Sequence, residues 1–140
     1  MKKTTWLSAL LCLSGTFLAH CGPSTNAGQQ DVVATYLKQR GVTVAACGKI
    51  VAGQCGTFTM SDADRAALRC LMDAFSTCTP ARLTLARPTE EGDPIVSDFL
   101  ITGNDASAPG ACPLTVFYDT RADHFGPHEI TRSNCAGLSG

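Results

Sequence analysis

Between residues 61 and 77 apolar side chains return every three or four positions, and after Pro80 the pattern changes to strict alternation. The first stretch predicts a helix over residues 62–77. Ser61 is a good N-cap, and Asp62 and Asp64 place negative charge at the positive end of the helix dipole. Leu68, Leu71, Met72 and Phe75 form one apolar face, with Arg65, Arg69 and Asp73 opposite. A second stripe, Ala63, Ala67, Cys70 and Ala74, consists of small residues and predicts close approach of another backbone. Residues 47–55 are expected there.

The alternating stretches predict strands over residues 82–87, 95–102, 114–118 and 129–134, separated by short Gly-, Pro- and Asp-rich turns. Earlier in the chain, Val32, Val33, Tyr36 and Leu37 recur at helical spacing, with Asp31 as cap and Gly41 as stop. Residues 42–46 read as a short strand or an extended link, and the Gly-rich stretch to residue 59 as irregular. The expected fold class is α+β: one main helix on a four-stranded antiparallel meander, stapled by disulfides, with a short N-terminal helix. The second face of the sheet is expected to be polar and wet.

The N-terminus adds a location. Lys2 and Lys3 precede an apolar run, Trp6 through Ala19, that is too short to span a bilayer comfortably. It ends in Leu18-Ala19-His20-Cys21, which resembles the lipobox of bacterial lipoproteins, with His20 standing where Gly, Ala or Ser is usual. Residues 1–20 are thus expected to be a lipoprotein signal peptide, Cys21 the lipidated residue, residues 21–30 a flexible tether, and residues 31–140 a single domain. The predicted location is the bacterial cell envelope, at the outer membrane, with the membrane as a partner through the lipid. A secretory signal cut after Thr25-Asn26-Ala27 is the alternative.

Cys12 leaves with the signal, and Cys47, Cys55, Cys70, Cys78, Cys112 and Cys135 remain, an even set that in an exported domain predicts disulfides. If the last two strands form a hairpin turning near Asp123 and His124, residue 112 falls opposite residue 135, which predicts Cys112–Cys135. Nested closure predicts Cys55–Cys70 and Cys47–Cys78. No C-x-x-C pair occurs, so a zinc site is not expected.

The formal charge is −1 and becomes about −3 once Lys2 and Lys3 are removed. No basic run interleaved with aromatics is present, so nucleic acid is not expected as a partner.

A meander places the turns at 88–94 and 119–127 at one end of the sheet, where a helix running antiparallel to the first strand also puts its acidic N-terminus. Glu90, Asp93, Asp119 and Asp123 are therefore candidate ligand or metal residues, with Glu91, His124, His128 and Glu129 nearby. Clustered carboxylates suit calcium, but Asp and Gly also make turns, and Arg121 stands where a calcium loop needs an oxygen. Gly126 and Pro127 break any helix that would align His124 and His128 on one face. No nucleophile motif is visible, and neither catalytic residues nor cofactors are predicted.

The stretch Arg87-Pro88-Thr89-Glu90-Glu91-Gly92-Asp93-Pro94-Ile95, followed by Val116-Phe117-Tyr118-Asp119-Thr120-Arg121-Ala122-Asp123-His124-Phe125-Gly126 and Cys135, resembles a family of small bacterial lipoproteins with a domain of unknown function. Its pattern is a T-x-E-G-D-P-I turn followed by a Y-D-x-x-x-D-x-F-G turn. The resemblance implies export and an α+β fold, with no activity. Both motifs also make sense as turns, Gly92 and Gly126 supplying positive φ and Phe125 folding back under the hairpin.

The expected role is a non-enzymatic envelope module that binds an envelope or extracellular protein. The alternatives are a cystatin-like protease inhibitor, by fold analogy, and a cation-dependent binding protein or hydrolase at the acidic turns.

Overall fold

The structure is a computed structural model and describes residues 25–27, 32–53, 59–104 and 112–135. Its elements are β1 (Thr25–Ala27), α1 (Val32–Arg40), β2 (Ala45–Val51), α2 (Asp62–Thr77), β3 (Ala81–Pro88), β4 (Pro94–Ile101), β5 (Leu114–Asp119) and β6 (Ile130–Cys135). The strands form one six-stranded sheet in the order β1-β6-β5-β4-β3-β2.

The helix predicted over 62–77 forms there for the local reasons its sequence supplies. Ser61 caps it: its Oγ accepts the Asp64 N–H at 3.1 Å while Asp64 accepts the Ser61 N–H at 2.9 Å, a reciprocal capping box. The Ser61 hydroxyl also donates to Asp64 Oδ2 at 2.6 Å, and this bond first, then the one from the Ser61 N–H, holds the Asp64 carboxyl below the usual carboxylate range. At the other end Cys78 takes the left-handed conformation at φ 53° and its N–H returns to the carbonyls of Ala74 and Phe75. The four predicted strands also form, each starting or ending within one residue of the expected position.

The sheet is wider than a four-stranded meander. β3, β4, β5 and β6 are antiparallel neighbours, but β2 joins the edge of β3 in parallel, from Ala45↔Ala81 to Val51↔Ala86, and β1 pairs antiparallel with β6. Residues 47–51, expected to be irregular, therefore belong to a strand, whose register with β3 shifts between Ala46 and Gly48. Parallel pairing needs a crossover, and α2 is that crossover. The expected tether is likewise shortened, since Thr25–Ala27 belongs to the sheet. Asp31, the expected cap of α1, lies outside the described residues, as do residues 1–20, Cys21 and Cys55.

Both faces of the sheet carry a core. Beneath α2, Leu71, Ala67 and Ala74 pack with Ile50, Leu83, Ile101, Leu114 and Cys135. The small-residue stripe is the side that lies closest to the strands: a Cβ on Gly48 of β2 would sit 3.5 Å from that of Ala67. Met72, expected on the buried face, is 40% exposed. The second face, expected to be wet, is covered in part by α1, whose Val33 and Tyr36 pack on Leu100, Phe117 and Ile130. Consecutive burial of Leu100 and Ile101, both 0% exposed, follows from this two-sided cover.

Buried polar groups on the sheet face that α1 covers in part are paired. Tyr36 Oη is 3.1 Å from Thr115 Oγ1, which donates to Asn134 Oδ1, and Asp98 accepts from Arg82 at 2.8 Å and Thr84 at 2.6 Å. Among the described residues no buried side-chain nitrogen or oxygen lacks a hydrogen-bond partner.

The disulfides differ from all three expected pairings. Cys47 bonds Cys70, with Cα atoms 5.5 Å apart, and Cys78 bonds Cys112, with Cα atoms 5.3 Å apart. Cys47–Cys78 and Cys55–Cys70 are excluded because the crossover lays α2 over β2, putting mid-strand Cys47 under mid-helix Cys70. The expected Cys112–Cys135 bridge rested on a register two residues off. Leu114, not residue 112, stands opposite Cys135. Cys112 lies beyond the paired residues and meets Cys78 at the end of α2, while Cys135 is a disulfide-bonded residue buried in the core.

Candidate functional site

β2 and β3 end at the same edge of the sheet, and α2 begins there, so the topology collects the turns at 88–94 and 119–130 and the acidic helix start at one end. Each turn is built from its own side chains. In the first, Thr89 N–H donates to the Asp93 carbonyl at 2.8 Å, Thr89 Oγ1 accepts the Asp93 N–H at 3.1 Å, and Gly92 takes φ 97°, a conformation that side chains disfavour. Pro88 and Pro94 face each other where the ladder stops.

The second turn is closed at its base by Thr120, whose N–H donates to the Glu129 carbonyl at 3.0 Å and whose Oγ1 donates to the same oxygen at 3.2 Å. Arg121 folds back on Asp119 with two parallel bonds, Nε to Oδ1 at 2.9 Å and Nη2 to Oδ2 at 2.7 Å. This contact holds the Asp119 carboxyl below the usual carboxylate range, against an opposing effect of partial burial. Asp123 accepts the Phe125 N–H at 3.0 Å, and His128 Nδ1 lies 3.3 Å from the Arg121 carbonyl. Gly126 is required by closeness rather than by positive φ, since a Cβ there would meet Asp123 Oδ2 at 2.7 Å. A bond from the His124 N–H to Asp93 Oδ2 at 2.8 Å joins the two turns.

Of the four candidate ligand residues, Asp93, Asp119 and Asp123 already serve as acceptors for turn N–H groups or Arg121, and Glu90 stands exposed at the tip of the first turn. Among the described residues no three His, Cys, Asp or Glu side chains are arranged to hold a metal ion. His124 and His128 do not share a helix: residues 124–129 are bends and irregular backbone, with His128 at φ 51°. Arg87 flanks the site from β3, its Nη2 donating to Tyr118 Oη at 3.0 Å.

Phe125 departs most from expectation. Instead of folding back under the hairpin it is 77% exposed, the most exposed large apolar side chain among the described residues, with the His124 ring edge-on at 5.5 Å. It lies outside the alternating pattern, so periodicity carries no information about its direction. The remaining signal is local: an aromatic residue flanked by His124 and Gly126 in a polar turn. The arrangement presents an exposed apolar tip on a polar, hydrogen-bonded base.

Comparison of the chain with protein-family models, with curated proteins and with solved structures finds no match.

Proposed function

We propose that the chain is a lipid-anchored, non-enzymatic binding module of the bacterial cell envelope, acylated at Cys21, that engages an envelope or extracellular protein through the turn at 119–130. The observation that carries the reading is Phe125, exposed on a turn whose backbone is held from both sides by Asp123, Asp93 and Thr120. Burying an exposed Phe stabilises a complex by about 1.5 to 3 kcal/mol, and a turn ordered in advance reduces the entropy lost on binding. Aromatic anchors of this kind dominate many interfaces. The disulfides support an oxidising compartment.

The test replaces Phe125 with a photo-crosslinking phenylalanine analogue in the full chain and irradiates intact cells. A discrete adduct at position 125, missing when the analogue stands at Met72, is expected. Equal adducts at both positions, or none at 125, would overturn the reading.

A further inference from the structure

Two cations meet at the ring of Tyr36. The guanidinium carbon of Arg40, one helical turn further along α1, lies 5.0 Å from the ring centre, and that of Arg132, from the middle of β6, lies 5.4 Å from it. Among the described residues neither guanidinium has a hydrogen bond or a carboxylate within ion-pair distance. The acids of this sheet face are already taken, Asp98 by Arg82 and Thr84, and Asp119 by Arg121. Two permanent positive charges therefore share one ring without a counter-charge.

The hydrogen bonds behind the ring leave only donors on offer. Thr115 gives its single hydroxyl proton to Asn134 Oδ1 at 3.1 Å, so in the 3.1 Å contact between Thr115 and Tyr36 the tyrosine hydroxyl is the donor. The bonds thus run from Tyr36 through Thr115 to Asn134 and engage the amide oxygen of Asn134. Its Nδ2 has no hydrogen-bond partner among the described residues, and the side chain is exposed. Asn134 stands two positions beyond Arg132, on the same face of β6. Covering the tyrosine ring accounts for the arginines alone, whereas a fixed amide donor on the face that carries them adds what an anion needs.

We propose that Arg40, Arg132 and Asn134, arranged around Tyr36, form a binding site for a phosphate monoester. Guanidinium forks match phosphate oxygens, and two charges with a third, neutral donor suit a dianion with three free oxygens better than a single carboxylate. The Tyr36–Thr115–Asn134 bonds fix the amide before the ligand arrives. The site is separate from the turn bearing Phe125 and requires neither a partner at that turn nor acylation of Cys21.

The experiment titrates inorganic phosphate into the full oxidised chain by calorimetry at constant ionic strength. Saturable binding is expected, weakened about tenfold or more in Arg132→Gln and in Arg40→Gln, and about two- to tenfold in Asn134→Ala, which removes a neutral donor. Arg69→Gln removes the same charge from α2 and is expected to leave the affinity unchanged within about twofold. Arg132→Lys keeps the charge without the fork and is also expected to weaken binding, with the circular dichroism spectrum of every variant unchanged. No saturable binding, or an equal loss in Arg69→Gln and Arg132→Gln, overturns the site. A gain of about tenfold in Asp31→Asn or Asp105→Asn, the two acids outside the described residues, also overturns it, because the guanidiniums would then be paired already. A parallel titration with water-soluble short-chain phosphatidic acid separates the sources. Tighter binding than that of inorganic phosphate assigns the phosphate to a lipid headgroup, and equal or weaker binding assigns it to a soluble phosphate ester.

Discussion

Tyr36 is the residue through which the second face of the sheet can be tested, because it holds α1 down in two separable ways. Its ring is 7% exposed and meets Phe117 edge-on at 5.3 Å, with the guanidinium carbons of Arg40 and Arg132 at 5.0 and 5.4 Å from the ring centre. Its hydroxyl bonds Thr115, which is 1% exposed. Tyr36→Phe removes only the hydroxyl. Thr115 keeps its bond to Asn134, so nothing buried is orphaned and the cost is about 1 kcal/mol. Tyr36→Ala removes the ring as well, and truncation of a buried aromatic costs about 3 to 5 kcal/mol. With a urea slope of about 1.5 kcal/mol/M for a domain of this size, the midpoint falls by roughly 0.5 to 1 M for Phe and by 2 to 3 M for Ala. The assay is urea unfolding of the oxidised mature chain followed by far-ultraviolet circular dichroism, since Trp6 leaves with the predicted signal and Tyr36 is itself the changed reporter. If the Ala midpoint lies as near to the parent as the Phe midpoint, α1 is not docked through this ring and the two-sided sheet is wrong.

Three further outcomes follow from the same geometry. A non-reduced peptide map contains Cys47–Cys70 and Cys78–Cys112, and Cys78→Ser with Cys112→Ser lowers stability by about 4 kcal/mol for a closed loop of 34 residues; a Cys112–Cys135 peptide contradicts the register of β5 with β6. Because the Asp119 carboxyl is depressed in the folded state by Arg121, its contribution is present above the ordinary value of 3.8 and disappears as pH falls through the folded value. Acid titration of the parent therefore shows a loss of stability below about pH 4 that is smaller in Asp119→Asn, and identical profiles would refute the pairing. Millimolar calcium leaves the melting temperature unchanged, because the turn carboxylates already accept hydrogen bonds; an upward shift that is abolished in Asp119→Asn or Asp123→Asn would move these residues from turn chemistry to a cation site.

The parts of the molecule that the chain announces are those decided by near neighbours. The helix Asp62–Thr77 is legible from Ser61, Asp64 and the spacing of Leu68, Leu71 and Phe75, each within four residues of the next, and the strands from alternation over six to eight positions. The turns around Gly92 and Gly126 are legible for the same reason, and the topology of a meander suffices to place them at one end with the start of the helix. The carboxylates named there, Asp93, Asp119 and Asp123, serve as acceptors within and between the turns.

What only tertiary structure decides is whatever depends on partners distant in sequence. β2 has little pattern of its own, with Ile50 alone buried, because an edge strand under a helix is specified by β3 and α2 rather than by alternation. The cysteine pairings depend on a hairpin register that a two-residue change in the turn shifts past the end of the sheet, and on the crossover that carries Cys70 over Cys47. Tyr36 and Phe125 illustrate the same limit from opposite sides. Tyr36 stands on the apolar stripe of a short helix and Phe125 in a polar turn; one is buried because α1 finds Phe117 and Thr115 some eighty positions away, and the other is exposed on a turn held by hydrogen bonds to its backbone.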